Sequence, residues 1–137
     1  MIETPFVAAD GIVEIYIDGT FKGIVLIDRL NPPYGTALPG GFMDIGETIE
    51  ACLKREMKEE IGLDVEIEHL LGLYSDPSRD PRFHTVSAVY ICRAYALPQA
   101  GDDAKSAKVV ALDELENELF VFDHGKIIED YLAFRDE

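Results

Sequence analysis

The chain has 137 residues, enough for one domain to bury a core without disulfides or a structural metal. Its 27 acidic and 12 basic residues give a net charge of −15, which argues against a nucleic acid polymer as partner. A small anionic ligand stays compatible with this charge, because bound divalent cations reverse the local sign. No long uncharged run predicts a membrane span and no leader pattern opens the chain, so we expect a single cytoplasmic domain over residues 1–137.

Two paired strands are predicted at the start of the chain. Residues 11–17 and 21–28 are rich in Ile and Val, and the Asp18-Gly19 pair between them is a strong hairpin signal. Residues 31–35 form a breaker cluster, Asn-Pro-Pro-Tyr-Gly. Residues 37–41 then predict a short strand that ends in a glycine loop, where backbone groups can approach a ligand.

A helix is predicted over residues 47–61. Apolar side chains recur there at four-residue spacing, and Gly62 is placed to cap the end; the apolar positions are Ile49, Leu53, Met57 and Ile61. Residues 65–74 and 85–95 are apolar and favour strands, and they flank a polar insert at 75–82.

The last part of the chain predicts one more strand over 108–112 and a closing helix over 125–134. Strands interspersed with two well-separated helices favour a mixed β-sheet covered by helices on both faces. The predicted fold class is therefore α/β, an α/β/α sandwich.

Three acids share one side of the first predicted helix. Glu56, Glu59 and Glu60 fall within an arc of about 100°, beside the apolar row that contains Ile49 and Leu53. A solvated acidic face is the alternative, but such a face should lie opposite the apolar row, and three like charges repel unless a cation intervenes. Oxygen donors without His or Cys nearby favour Mg²⁺ first and Mn²⁺ second.

Residues 41–63 resemble the signature of the Nudix hydrolase family. They read Gly, five residues, Glu47, seven residues, and then Arg-Glu-Met-Lys-Glu-Glu-Ile-Gly-Leu, which matches that signature at every specified position. The resemblance implies a Nudix fold and metal-dependent hydrolysis of a phosphoanhydride bond in a nucleoside diphosphate derivative. Water is then the expected nucleophile, activated by a carboxylate and a metal.

The resemblance also implies roles for residues of this segment. Glu56 and Glu60 are the expected principal metal ligands, and Gly40 or Gly41 is expected to offer a backbone carbonyl. Glu59 either shares a metal or receives a proton from the attacking water.

Two further sets of residues belong to this expectation. Glu47 is expected to orient Arg55, with an exposed ion pair of little consequence as the alternative. Asp102 and Asp103 precede the last strand, where relatives place an additional acid, and a solvated turn is the other interpretation.

The loops outside this segment resemble those of prokaryotic ADP-ribose pyrophosphatases. The similarity rests on residues 31–35, 37–41 and 74–82, and one departure is Thr36, where relatives often carry Trp. Arg79 and Arg82 offer forked donors for phosphate or ribose oxygens, held by Asp76 or Asp80, and a loop stapled by Arg–Asp pairs is a second interpretation that is compatible with the first.

The predicted reaction is hydrolysis of ADP-ribose to AMP and ribose 5-phosphate. The alternatives are a nucleoside triphosphate pyrophosphohydrolase of the 8-oxo-dGTP type and, from another class, a Nudix ligand sensor that binds without cleaving. The expected partner is a small nucleotide, with neither a nucleic acid polymer nor a membrane, and a homodimer is compatible with the sequence.

Overall fold

The computed structural model describes residues 1–101 and 104–137, and in this part of the chain one β-sheet carries two α-helices. The strands are β1 (Phe6–Ile17), β2 (Thr20–Arg29), β3 (Thr36–Ala37), β4 (Gly40–Phe42), β5 (Glu66–Tyr74), β6 (Thr85–Ala94) and β7 (Ala104–Val110). The helices are α1 (Ile49–Ile61) and α2 (His124–Arg135), and a short 3₁₀ helix spans Leu112–Asn117.

The sheet is mixed, as the sequence predicts. Its main path runs β3-β2-β1-β6-β5, while β4 pairs with β1 and β7 pairs with β2. The central strands β1 and β6 are parallel, and all other pairs are antiparallel. This parallel pairing places Ala8 opposite Ser87 and Asp10 opposite Val89, so the start of β1 lies beside the start of β6.

The two helices cover opposite faces of the sheet, which confirms the predicted α/β/α sandwich. Because side chains alternate along a strand, Ala9, Val13 and Ile15 of β1 enter one core and Ile12 enters the other. The first core includes Leu53, Met57 and Ile61 of α1. The second includes Ile127, Ile128 and Tyr131 of α2.

Helix α1 begins at Ile49, two residues later than predicted. Thr48 is the N-cap, and its hydroxyl accepts a hydrogen bond of 3.1 Å from the Ala51 amide. Glu47 instead lies in a turn, where its amide donates to the Asp44 carbonyl. The predicted end is correct, because Gly62 caps the helix with its amide donating to the Lys58 carbonyl.

The last strand was predicted too late in the chain. The structure has β7 at Ala104–Val110 rather than at 108–112, and Leu112 already begins the 3₁₀ helix. The first residues of β7 read Ala-Lys-Ser-Ala-Lys, which is not an apolar run, and most of the strand is only half buried. The sequence pattern therefore does not reveal where the strand begins. Pairing with β2 holds these polar residues in the sheet.

No α-helix in residues 1–101 or 104–137 is long and apolar enough to cross a membrane.

The Thr48 cap allows a test of how α1 is held. Replacing Thr48 with Ala should lower the free energy of unfolding by about 1 kcal/mol, because an amide of the first helical turn loses its side-chain acceptor. Urea unfolding monitored by circular dichroism measures the change. Thr48→Ser keeps the acceptor and is the control, and equal loss in both variants would contradict the assignment of the cap.

Candidate active site

A cavity of about 430 Å³ opens where β1, α1, the 75–82 loop and the start of α2 meet. Its lining includes acids, arginines and backbone of the glycine segment, among them Asp10, Gly40, Gly41, Arg55, Glu56, Glu60, Arg79, Arg82 and His124. One wall carries residues that the sequence analysis singled out, within the segment 40–63. The opposite wall comes from segments distant from it in sequence, and it includes Asp10 and His124.

Arg55 is the centre of a hydrogen-bonded cluster. Its Nε and Nη2 donate to both carboxylate oxygens of Glu47, at 3.1 and 2.7 Å. Its Nη1 donates to Glu56 at 2.8 Å and to Glu59 at 3.2 Å, and Nη2 also reaches the Phe42 carbonyl at 3.0 Å. Glu47 and Arg55 are thus in two-point contact across eight residues, the arrangement on which an orienting role depends.

The same contacts set the charge of Glu47. Hydrogen bonds from the Arg55 guanidinium, followed by one from the Asp44 amide, lower the pKa of Glu47 to about 2. In turn, the Glu47 carboxylate raises the pKa of Arg55 above its ordinary value. Both groups therefore stay ionised at any pH near neutrality, and the guanidinium is held in one orientation.

The glycine segment presses directly against the acids. A Cβ atom built at Gly41 would lie 2.2 Å from the Glu56 carboxylate, so no larger residue fits there without moving Glu56. Gly40 pairs with Asp10 across the β1–β4 ladder. The close approach places backbone of Gly40 and Gly41 at the same wall as the helix acids.

The acids differ in their relation to the cavity. Glu56 and Glu60 line it, whereas Glu59 does not, and the Glu59 side chain is 52% exposed. Among the residues that the structure describes, no three His, Cys, Asp or Glu side chains converge as a ready metal site. The donor chemistry nevertheless fits a hard divalent cation, since Glu56, Glu60 and the adjoining backbone offer only oxygen atoms.

The two arginines of the 75–82 loop both reach the cavity, and both are engaged by carboxylates. Arg79 is buried, and its Nε and Nη2 donate to the two oxygens of Asp123 at 2.9 and 2.7 Å. Arg82 donates in the same forked way to Asp80. The interpretation of a loop stapled by Arg–Asp pairs is therefore confirmed.

The predicted partners of these arginines are right in one case and wrong in the other. Asp80 holds Arg82, and although burial alone would raise the pKa of Asp80, the hydrogen bonds from Arg82 lower it below its ordinary value. Asp76 instead accepts from the amide and hydroxyl of Ser78, so it only shapes the turn. The acid that holds Arg79, Asp123, lies 44 residues away and has no local signal in the sequence.

Phe122 lies between these elements in a strained backbone conformation. Its φ of 56° is uncommon for a non-glycine residue, and such residues cluster at functional sites. The guanidinium carbons of Arg29 and Arg82 lie 5.0 and 5.2 Å from its ring centroid. Phe122 thereby forms an aromatic part of the cavity wall that the sequence did not single out.

Asp10, Thr85 and His124 were also missed from the sequence. All three are buried, and all three line the cavity. The signal available for Asp10 was a lone acid within an apolar strand, Ala8-Ala9-Asp10-Gly11. Thr85 and His124 begin β6 and α2, and only the tertiary fold brings them to Asp10.

Two other predictions concern residues away from this wall. Thr36 is buried but does not line the cavity, and its hydroxyl donates to Glu118 at 3.1 Å. The departure from Trp at this position thus falls at a buried residue outside the cavity lining. Asp102 and Asp103, the predicted additional acids, lie outside the described residues.

Comparison with known proteins identifies the family. The NUDIX domain family matches residues 6–131. An ADP-ribose pyrophosphatase of Methanocaldococcus jannaschii is 46% identical over 134 residues, which is 96% of this chain and 75% of that protein. The chain therefore belongs to the NUDIX family, which confirms the resemblance carried by residues 41–63.

Solved structures agree with this fold. The NUDIX domain of Shewanella oneidensis NrtR complexed with ADP ribose has a TM-score of 0.82 and 25% identity, covering 96% of this chain and 89% of that one. A bifunctional NMN adenylyltransferase/ADP ribose pyrophosphatase from Francisella tularensis, complexed with AMP and a Mn ion, has a TM-score of 0.80 and 27% identity. That match covers 96% of this chain but only 42% of the bifunctional protein.

The Arg55 cluster predicts an acidic titration. The carboxyl carbon of Glu47 should titrate near pH 2 rather than near the ordinary 4.5, as followed by ¹³C NMR while the spectrum stays folded. Because the folded-state pKa is depressed, the contribution of the contact to stability is complete above about 4.5 and is lost as the pH falls toward 2. Arg55→Gln should return the midpoint toward 4.5, and an unchanged midpoint in that variant would show that Arg55 does not cause the low pKa of Glu47.

Proposed function

We propose that this protein hydrolyses the phosphoanhydride bond of ADP-ribose to give AMP and ribose 5-phosphate, with a divalent cation. The observation that carries the proposal is the 46% identity, along nearly the whole chain, to a protein named ADP-ribose pyrophosphatase. The uninterrupted Nudix signature at residues 41–63, with Glu56 and Glu60 on the cavity wall, supports an active enzyme rather than a degenerate copy.

In this proposal the acids of α1 hold the cation. Glu56 and Glu60 are the principal side-chain ligands and the Gly40 carbonyl is the backbone ligand. The bound Mg²⁺, or Mn²⁺ in its place, would withdraw charge from the pyrophosphate and lower the pKa of a water molecule. Glu59, exposed at the rim of the acidic cluster, either joins the metal site or takes the proton from the attacking water.

Glu47 and Arg55 act on these acids rather than on the substrate. The two-point contact with Glu47 fixes the guanidinium, and the guanidinium then fixes the Glu56 carboxylate at 2.8 Å. A ligand oriented by such a neighbour loses less freedom when the cation binds. Arg55 is thus a positioning residue.

The acidic surface favours a small nucleotide over a polymer as substrate. The net charge of −15 repels an extended polyphosphate chain, whereas a cation held at one site attracts a single pyrophosphate.

A ligand sensor is the second candidate function. It is favoured by the similarity to the NrtR domain, which was solved with ADP ribose bound. A sensor of this kind would bind ADP-ribose in the same cavity and leave it intact, so product analysis separates the two functions.

The acids of α1 make the first functional prediction. Glu56→Gln and Glu60→Gln should each lower kcat by at least about a hundredfold with little change in thermal stability, because each removes a metal ligand. Excess EDTA should abolish turnover, and added Mg²⁺ should restore it. Glu129→Gln, an exposed change on α2, is the matched control. Undiminished hydrolysis in EDTA would refute the metal mechanism.

The second functional prediction concerns the substrate. The value of kcat/KM should be higher for ADP-ribose than for dGTP or 8-oxo-dGTP at the same Mg²⁺ concentration, with AMP and ribose 5-phosphate identified by mass spectrometry. Arg82→Ala should raise KM for ADP-ribose more than for a triphosphate. In this proposal Arg82 contacts the ribose 5-phosphate half of ADP-ribose, and a triphosphate has no second sugar in that place. A tenfold or greater preference for the oxidised triphosphate would instead favour the housecleaning activity.

A further inference from the structure

Three buried polar side chains form a floor to the cavity that the proposed hydrolytic chemistry does not use. They are Asp10, Thr85 and His124, with exposed fractions of 8, 3 and 3%. They come from β1, β6 and α2, three elements that the fold brings together at one end of the sheet. Polar groups buried this deeply are normally satisfied, so the bonding state of each indicates what the floor can bind.

His124 is held as a neutral hydrogen-bond donor. Its Nδ1 accepts a hydrogen bond of 2.9 Å from the Leu38 amide, so the proton of the neutral ring lies on Nε2. Protonating Nδ1 would set two donors against each other, and burial independently lowers the pKa of His124. The ring therefore offers one N–H to a ligand and carries no charge.

Asp10 supplies the acceptor. One of its carboxylate oxygens accepts from the Ser87 hydroxyl, and the other lies against Gly40, where a Cβ atom would come within 2.0 Å of it. Both Asp10 and His124 line the cavity, where Asp10 is an acceptor and His124 is a donor.

Thr85 contributes an unsatisfied hydroxyl to the floor. Its hydroxyl oxygen is buried and has no hydrogen-bond partner among the described residues. A rotation about χ1 exchanges the hydroxyl and methyl positions and breaks no existing hydrogen bond. The hydroxyl is thus available to a group that enters the cavity, and it can act as donor or acceptor.

The charges around the floor disfavour a phosphate there. Asp10 brings a carboxyl group to the floor, and the two arginines of the neighbouring loop are each paired with a carboxylate, Arg79 with Asp123 and Arg82 with Asp80. A phosphate on the floor would meet the Asp10 carboxylate directly, which is unfavourable for two like charges. An uncharged group with several hydroxyls suits a carboxylate, a neutral N–H and a free hydroxyl.

We propose that Asp10, Thr85 and His124 form the subsite that binds a sugar of the nucleotide substrate, with Asp10 accepting from sugar hydroxyls and His124 donating to one. The proposal rests on the function proposed above and assigns a place to one of the two riboses of ADP-ribose. The subsite discriminates substrates by their sugar hydroxyls, while the acids of α1 act on the phosphates.

The test measures binding of both reaction products, so that it does not depend on turnover. AMP, ribose 5-phosphate and pyrophosphate are titrated in Mg²⁺ by calorimetry against the wild-type protein and Thr85→Val, which removes only the hydroxyl. We expect Thr85→Val to weaken one of the two sugar phosphates by about three- to tenfold, the value of one neutral hydrogen bond, and to leave pyrophosphate unchanged. The product affected identifies which ribose lies on the floor.

Three variants complete the experiment. Thr85→Ser restores the hydroxyl and should restore binding. His124→Asn keeps an acceptor for the Leu38 amide but loses the distant N–H, and should weaken the same product as Thr85→Val. Thr36→Val removes a buried hydroxyl that does not line the cavity, and should leave the affinity for both products unchanged.

Two outcomes overturn the inference. Unchanged affinities in both Thr85→Val and His124→Asn would remove the floor from recognition. If AMP is the affected product, equal weakening of 2′,3′-dideoxy-AMP would show that the floor contacts the base and not the sugar. A wild-type protein that binds neither ADP-ribose nor its products would contradict the proposed function itself, whereas intact wild-type binding with unaffected variants would contradict the subsite alone.

Discussion

The site depends on a single guanidinium. Arg55 touches the loop before α1 through Glu47, the strand β4 through the Phe42 carbonyl, and the helix surface through Glu56 and Glu59. Without this charge, carboxylates that converge on one helix face would repel one another. Arg55 therefore allows the acids to lie close together in the folded chain, and the glycine segment can then approach Glu56 without a side chain in between.

The cavity has two chemically different surfaces, one of ion-paired charges and one of buried polar groups. The wall made by α1 and β4 is built from charges that hold one another in fixed positions, as the depressed pKa of Glu47 reflects. The floor, from β1, β6 and the start of α2, carries buried polar groups, of which His124 is hydrogen-bonded to Leu38 and Asp10 to Ser87. The ion-paired acids and the buried polar groups of the floor thus reside on different elements of the sandwich.

How much the sequence predicts follows from the distance over which each signal acts. The helix α1, its acids and its contact with Glu47 are encoded within residues 41–63, so spacing along the chain was sufficient. The start of α1 was placed two residues early because Glu47 continues the polar pattern, whereas the Thr48 hydroxyl begins the helix. The interpretation of the 75–82 loop as stapled by Arg–Asp pairs was correct, but the partner of Arg79 was not local.

The floor of the cavity was not predictable in the same way. Asp10 and Ser87 are 77 residues apart, and they meet only because β1 and β6 pair in parallel at the centre of the sheet. Thr85 gives no pattern of its own, since its importance lies in a hydroxyl that the fold leaves without a partner among the described residues. Long-range register, rather than composition or periodicity, decides which side chains share the cavity.

The ion pair between Arg79 and Asp123 ties two segments of the cavity wall to each other. It clamps the 75–82 loop to the residue that precedes His124, so a change in the length of that loop would also displace the start of α2. The two segments are therefore structurally coupled although 44 residues separate the paired side chains. Replacing the loop with one that lacks Arg79 would leave Asp123 without its partner, so a transplanted loop has to bring a residue that pairs with Asp123 or be moved together with the segment that contains it.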